Sequence, residues 1–215
     1  MKSLPPSPLL APDQSSAYGA GLSSPAPHTE AELATLLALL STPRSRITTV
    51  MVGHSRDTVS RSTAAAFVEA WHGTTGRAGR TEQAGRTDRM VLACVDWPED
   101  AASWLRAARR FTAGAPDAWV VAAAPRGWAQ MSRRLRHSTD WDPARTYGFA
   151  SLGDSRIPAL AGPETLQGMR GATADGRIWT IDRGWLTQRL PSPPTEASGA
   201  PVARWEEAAR PGRSR

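Results

Sequence analysis

The pattern of apolar and polar positions changes character several times along the chain, and each change predicts an element. Leu33, Leu36, Leu37 and Leu40 recur at helical spacing behind Thr29, which stands three residues before Glu32 in capping-box spacing, and Ser41-Thr42-Pro43 stops the run. This predicts a short amphipathic helix that serves packing. Residues 47–52 then read as a strand closed by Gly53, after which Asp57 caps a helix to about His72 with an apolar stripe of Val59, Ala66, Phe67, Ala70 and Trp71. Further on come a strand at 90–95 and a helix opened by Pro98, carrying Ala101, Trp104, Leu105, Ala108 and Phe111 and ended by Gly114. Residues 118–124 are apolar at nearly every position. Trp128, Met131 and Leu135 mark another helix, residues 146–149 another strand, and 178–181 a last strand or hairpin arm.

Strands apolar on both faces belong to parallel sheets covered by helices. Repeated strand-helix-strand units joined by short turns therefore predict an α/β fold, a doubly wound and mostly parallel sheet with right-handed crossovers. Around it, residues 1–28 are rich in Pro, Ser, Ala and Gly and read as a disordered leader; 29–45 hold the first helix and a linker. Residues 46–190 form the α/β lobe, and 191–215 read as a disordered basic tail. Within the lobe, residues 73–89 are rich in Gly, Arg and Thr and read as a long loop.

Composition narrows the function more than it identifies it. A chain of 215 residues, 40% hydrophobic, is enough for one domain with a real core. A net charge of +6 and a pI near 10.8 permit attraction to nucleic acid or anionic lipid. That charge is arginine nearly throughout, with Lys2 the single lysine and no asparagine, a bias of GC-rich coding more than of polyanion binding. The one cysteine, Cys94, cannot make an internal disulfide and reads as a small buried hydrophobe. His28, His54, His72 and His137 are scattered, without Cys-x-x-Cys or His-x-x-x-His spacing, so no metal site is expected. No glycine-rich fingerprint follows the first strand and no Walker loop occurs, so no nicotinamide or nucleotide cofactor is expected. Near the start, Lys2 is followed by a proline-broken stretch too short for a signal-peptide core, and no run approaches the ~18 apolar residues of a membrane span, so a cytoplasmic chain is expected.

Four stretches carry a family likeness: Asp96-Trp-Pro-Glu-Asp-Ala-Ala-Ser-Trp-Leu-Arg106, Ala115-Pro-Asp-Ala-Trp-Val-Val121, Arg145-Thr-Tyr-Gly-Phe149 and Ala161-Gly-Pro-Glu-Thr-Leu-Gln-Gly168. Together they resemble the second lobe of type I periplasmic substrate-binding proteins of ABC transporters, the class that includes branched-chain amino-acid receptors. The helix end Leu160-Ala161-Gly162, followed by Leu166-Gln167-Gly168-Met169, is the best-matching element. The resemblance implies a non-catalytic module that binds a small ligand or a partner protein. It covers about residues 46–181, one lobe where such receptors have two, so it also implies a truncated receptor or an exposed face open to self-association. In amino-acid receptors the second lobe supplies an aromatic residue after its third strand and a carboxylate after its fourth. The matching stretches here hold Pro125-Arg126 and Ser151-Leu152-Gly153-Asp154, with Asp154 the one acid.

In open α/β sheets ligands bind at the carboxyl ends of the strands, where helix N-termini favour anions. Those ends carry His54, Ser55, Arg56, Pro125, Arg126, Ser151 and Asp154, and the two arginines point to a small anionic ligand. Two alternatives use other residues. Ser55 sits between a strand and a helix like a hydrolase nucleophile, but Asp57 stands where that turn needs a small residue. Arg133, Arg134 and Arg136, with the 77–89 loop and the arginine-bearing tail, offer a surface for nucleic acid without any recognised module.

Overall fold

The computed structural model describes residues 21–22, 24–42, 46–73 and 89–191. Most of the leader, residues 74–88 of the arginine-bearing loop and all of the tail past 191 lie outside the described residues. The elements run α1 (Glu30–Leu40), β1 (Thr49–Ser55), α2 (Thr58–Gly73), β2 (Met90–Trp97), α3 (Leu105–Thr112), β3 (Ala118–Ala122), α4 (Pro125–Ser138), β4 (Thr146–Gly148), α5 (Ile157–Ala161), β5 (Arg170–Ala172), β6 (Ile178–Asp182) and β7 (Trp185–Arg189). Short 3-10 turns at Pro143–Arg145 and Ala150–Leu152 flank β4.

The seven strands form one sheet in the order β2-β1-β3-β4-β5-β6-β7. The first five are parallel, and β6 and β7 add an antiparallel hairpin. The expected doubly wound sheet is therefore present, and its order reverses between β1 and β3, the topological switch point of such sheets. One face packs Trp97, Phe111, Trp128, Leu135, Leu160 and Trp179 beneath α3, α4 and α5. The other packs Val50, Val52, Tyr147 and Phe149 against α2 and α1. The capping box of α1 forms as expected, with Thr29 and Glu32 bonding each other's backbone N–H. Leu36 and Leu40 of α1 are fully buried, so this helix covers the sheet face beside α2 and not an edge strand.

Several expectations need correcting, each for a local reason. β1 does not close at Gly53 but runs to Ser55, because the bare Cα lets the Trp97 and Phe111 rings pack against the strand; a Cβ there would meet both at 2.6 Å. Pro98 does not open a helix: α3 begins at Leu105, because the Trp104 indole donates to Pro98 O and the Glu99 side chain is drawn toward β1. The buried stripe of α2 is Ser60, Thr63, Ala64, Phe67 and Trp71, rotated from the expected one; Val59, Ala66 and Ala70 are half-buried. β2 is an edge strand, so Cys94 is exposed rather than buried. Arg133 is buried, with its guanidinium on Leu160 O, and burial lowers its pKa; this leaves Arg134 and Arg136 of the supposed outer basic face. Seven of the nine tryptophans (Trp71, Trp97, Trp104, Trp119, Trp128, Trp141 and Trp179) are buried in the core.

Replacing Leu36 by alanine removes a wholly buried side chain from the α1–sheet contact and is expected to lower unfolding stability by about 2–5 kcal/mol. Urea denaturation measures it, and an unchanged midpoint would mean that α1 is not part of the core.

Candidate functional site

The carboxyl ends of β1, β3 and β4 meet the loop after β2 and the start of α4. At their centre the Ser55 hydroxyl, wholly buried, donates to Glu99 Oε1 at 2.6 Å and accepts from Ala124 N at 3.0 Å. Glu99 Oε2 accepts from Gly127 N at 2.7 Å, so the carboxylate caps the N-terminus of α4. Burial pushes its pKa above the usual value, against the lowering pull of these hydrogen bonds. A Cβ at 127 would meet the Glu99 carboxylate at 2.4 Å, so glycine leaves that carboxylate room at the head of α4.

Beside this brace lies a cavity of about 210 Å³ lined by Pro25 and Pro27, Glu32, Ser60, Thr63, Ala122 and Ala123, Phe149, Ala150 and Ser151 among others. Ser60 and Thr63, one helical turn apart on α2, are buried, and among the described residues neither hydroxyl has a hydrogen-bond partner. Glu32 is buried too, and its carboxylate accepts from the backbone N–H of Thr29 and Ala150. Burial raises its pKa. The segment 24–27 and the first turn of α1 thus wall the cavity on the side away from the sheet.

The residues singled out from the sequence lie at or shortly after these strand ends, each with its own partners. Of the seven, Ser151 alone lines the cavity, donating to Ala123 O at 2.8 Å. His54 Nδ1 donates to Ser55 O at 2.8 Å in the tautomer that carries its proton there. Arg56 is exposed and pairs with Asp96 at 2.6 Å, a bond that lowers the Asp96 pKa. Arg126 reaches Asp100 at 3.3 Å, also in solvent. Pro125 is the first residue of α4. Asp154 binds the backbone and guanidinium of Arg156, which lowers its pKa. Ser55, the nucleophile of the hydrolase alternative, has both hydrogen-bonding roles taken by Glu99 and Ala124.

Four residues escaped sequence reasoning. Ser60 and Thr63 were legible only as part of a spacing, Ser60-Thr63-Ala64-Phe67-Trp71, in which polar residues occupy core positions. Glu32 was legible as a capping residue and not as a cavity wall. Glu99 carried no signal. Among the described residues no group of three or more His, Cys, Asp or Glu is placed to hold a metal ion, and no helix is long and apolar enough to cross a membrane.

Comparison with solved structures places this geometry. A crystal structure of a substrate-binding periplasmic protein (Pbp) from Ralstonia solanacearum superposes with a TM-score of 0.51 at 18% identity, over 78% of this chain and 43% of that one. Rp1789 from Rhodopseudomonas palustris (strain CGA009) superposes with a TM-score of 0.52 at 16% identity, over 68% of this chain and 36% of that one. The chain spans less than half the length of either. At these identities the likeness establishes the fold, an α/β unit of the periplasmic-binding-protein kind. No family model matches the sequence, and no curated protein matches it.

The Glu99 brace has a testable pH signature. A carboxyl raised in the folded chain favours folding fully below its unfolded value of about 4.3, and that contribution fades as pH rises through the raised value. Glu99→Gln, which does not titrate, is expected to flatten the fall in stability above pH ~4.3 in denaturation profiles. Glu99→Ala leaves Ser55 Oγ and Gly127 N without this acceptor and is expected to cost about 1–3 kcal/mol. An Ala variant as stable as wild type would remove the brace from the account.

Proposed function

We propose that this chain is a non-catalytic solute-binding module that takes a small ligand in the cavity at the carboxyl ends of β3 and β4. The observation that carries the reading is the pair of buried, unpartnered hydroxyls on Ser60 and Thr63, two of the residues that line a cavity of about 210 Å³. Leaving a buried hydroxyl without a partner costs about 1–3 kcal/mol, a cost that a bound molecule offsets by supplying the missing hydrogen bond. The space is somewhat larger than the roughly 150 Å³ that admits benzene. The periplasmic-binding-protein kind of fold supports the same assignment, and ligands in such sheets bind beside the switch point.

The cavity lining shifts the ligand preference away from anions. Arg56 and Arg126 are outside the cavity lining and pair with Asp96 and Asp100, and Glu32 is the charged residue among those lining the cavity. The favoured ligand is a compact hydrogen-bonding molecule without net negative charge. We further propose that the chain corresponds to the second lobe of a branched-chain amino-acid-type receptor and resides in the cytoplasm.

A thermal-shift screen of small polyols, aliphatic amines and carboxylates tests this. A neutral or cationic compound is expected to raise the melting temperature, with binding weakened about tenfold or more by Ser60→Ala or Thr63→Val and unchanged by Arg126→Ala. Stabilisation by carboxylates alone, abolished by Arg126→Ala, would move the site to Arg126 at the start of α4. Binding of duplex DNA that falls steeply with salt and is lost on changing Arg134 and Arg136 would favour the nucleic-acid alternative instead.

A further inference from the structure

The hairpin that closes the sheet leaves β7 as an edge with features that protective edges lack. It is five residues of Trp-Leu-Thr-Gln-Arg, without proline, bulge or inward-pointing charge. Trp185 is 76% exposed and Leu190, just beyond the strand, is 72% exposed. Two large apolar side chains stand in solvent on this one short edge.

The hairpin geometry dictates how the edge can pair. Arg183 and Gly184, at φ 48° and 80°, form a two-residue turn of the type that matches strand twist. Its closing pair, Asp182 and Trp185, exchanges backbone hydrogen bonds, and the antiparallel ladder then alternates, so Thr187 also bonds inward to Thr180. The backbone groups of Leu186 and Gln188 consequently face outward, unclaimed by β6.

We propose that two copies of this chain pair through β7, antiparallel about a two-fold axis centred on Thr187. This register sets Leu186 opposite Gln188 of the second copy, so the outward backbone groups satisfy one another twice over. Thr187 meets Thr187. Trp185 lies across from Arg189 on the same exposed face, twice by symmetry, which makes two cation–π pairs. Leu190 falls diagonally beside Leu186, itself half-buried against the core. The strand is thus complementary to its own two-fold copy in hydrogen bonding, charge and apolar surface. The two sheets join into one of 14 strands, within the range of about 8–15 seen for large open α/β sheets. The patch is small for an interface, so the dimer forms in the micromolar range.

Sedimentation velocity of the full chain between about 10 and 500 µM is expected to show a monomer–dimer equilibrium; monomer throughout overturns the proposal. Gln188→Pro removes an outward N–H without touching the β6–β7 ladder, and Arg189→Glu removes the cation. Each is expected to weaken the dimer about tenfold or more. In a Cys94→Ser background, Thr187→Cys is expected to form an interchain disulfide on oxidation, because the two Thr187 residues face each other as a non-hydrogen-bonded pair. A dimer insensitive to Arg189→Glu that fails to cross-link through position 187 lies elsewhere and refutes this interface. Circular dichroism confirms that each variant is folded, and if Gln188→Pro is not, the other two decide.

Discussion

The carboxyl ends of parallel strands and the helix N-termini that follow them present backbone N–H groups that need acceptors, and the rest of this structure follows from how that need is met. In sheets of this topology a bound anion often supplies the acceptor. Here side chains do. Glu99 bonds Gly127 N at the head of α4, Ser55 Oγ bonds Ala124 N, Glu32 bonds Ala150 N, and Asp57 bonds Ser60 N at the head of α2. Two of these acceptors are carboxylates whose pKa values burial raises, so each is held in place at some electrostatic cost.

This arrangement explains the reach of α1. A helix from the start of the chain crosses to β4 and β5 because Glu32 is needed at Ala150, while Leu36 and Leu40 close the face formed by Val50, Val52, Tyr147 and Phe149. Thr29 and Thr35 fasten the same helix to the turn between β5 and β6, through Ala174 O and Gly176 O. Capping, sheet packing and cavity wall are therefore one element. The segment before it, 24–27, is carried over the strand ends as a consequence.

The central strands and α1, α2 and α4 were legible because their apolar periodicity is strong and their boundaries carry Pro, Gly or capping residues. β5 and β7 were not. β5 is three residues, Arg-Gly-Ala, chosen by close approach to Gly148 and Trp179, and β7 has no buried face to write a period into the sequence. The strand-end location of the candidate site followed from topology alone, yet the residues that shape it did not. Arg56, Arg126 and Asp154 are polar enough to attract notice and are engaged by Asp96, Asp100 and Arg156, whereas Glu99 acts through a partner 44 residues away that no local pattern reveals.

The polarity of the α2 stripe favours the proposed binding cavity over imperfect core packing. At positions 60 and 63 alanine or valine would avoid desolvating a hydroxyl, and Ala64, Phe67 and Trp71 on the same stripe are the apolar choices a core demands. Opposite them stand Ala122, Ala123 and Ala150, side chains too small to fill the gap, and Phe149 beside them is held edge-on by Phe67 and His28. A core selected only for packing would enlarge one alanine and remove two hydroxyls. Small walls and unsatisfied hydroxyls at the same place, next to the switch point of the sheet, are what a site for a hydrogen-bonding guest requires.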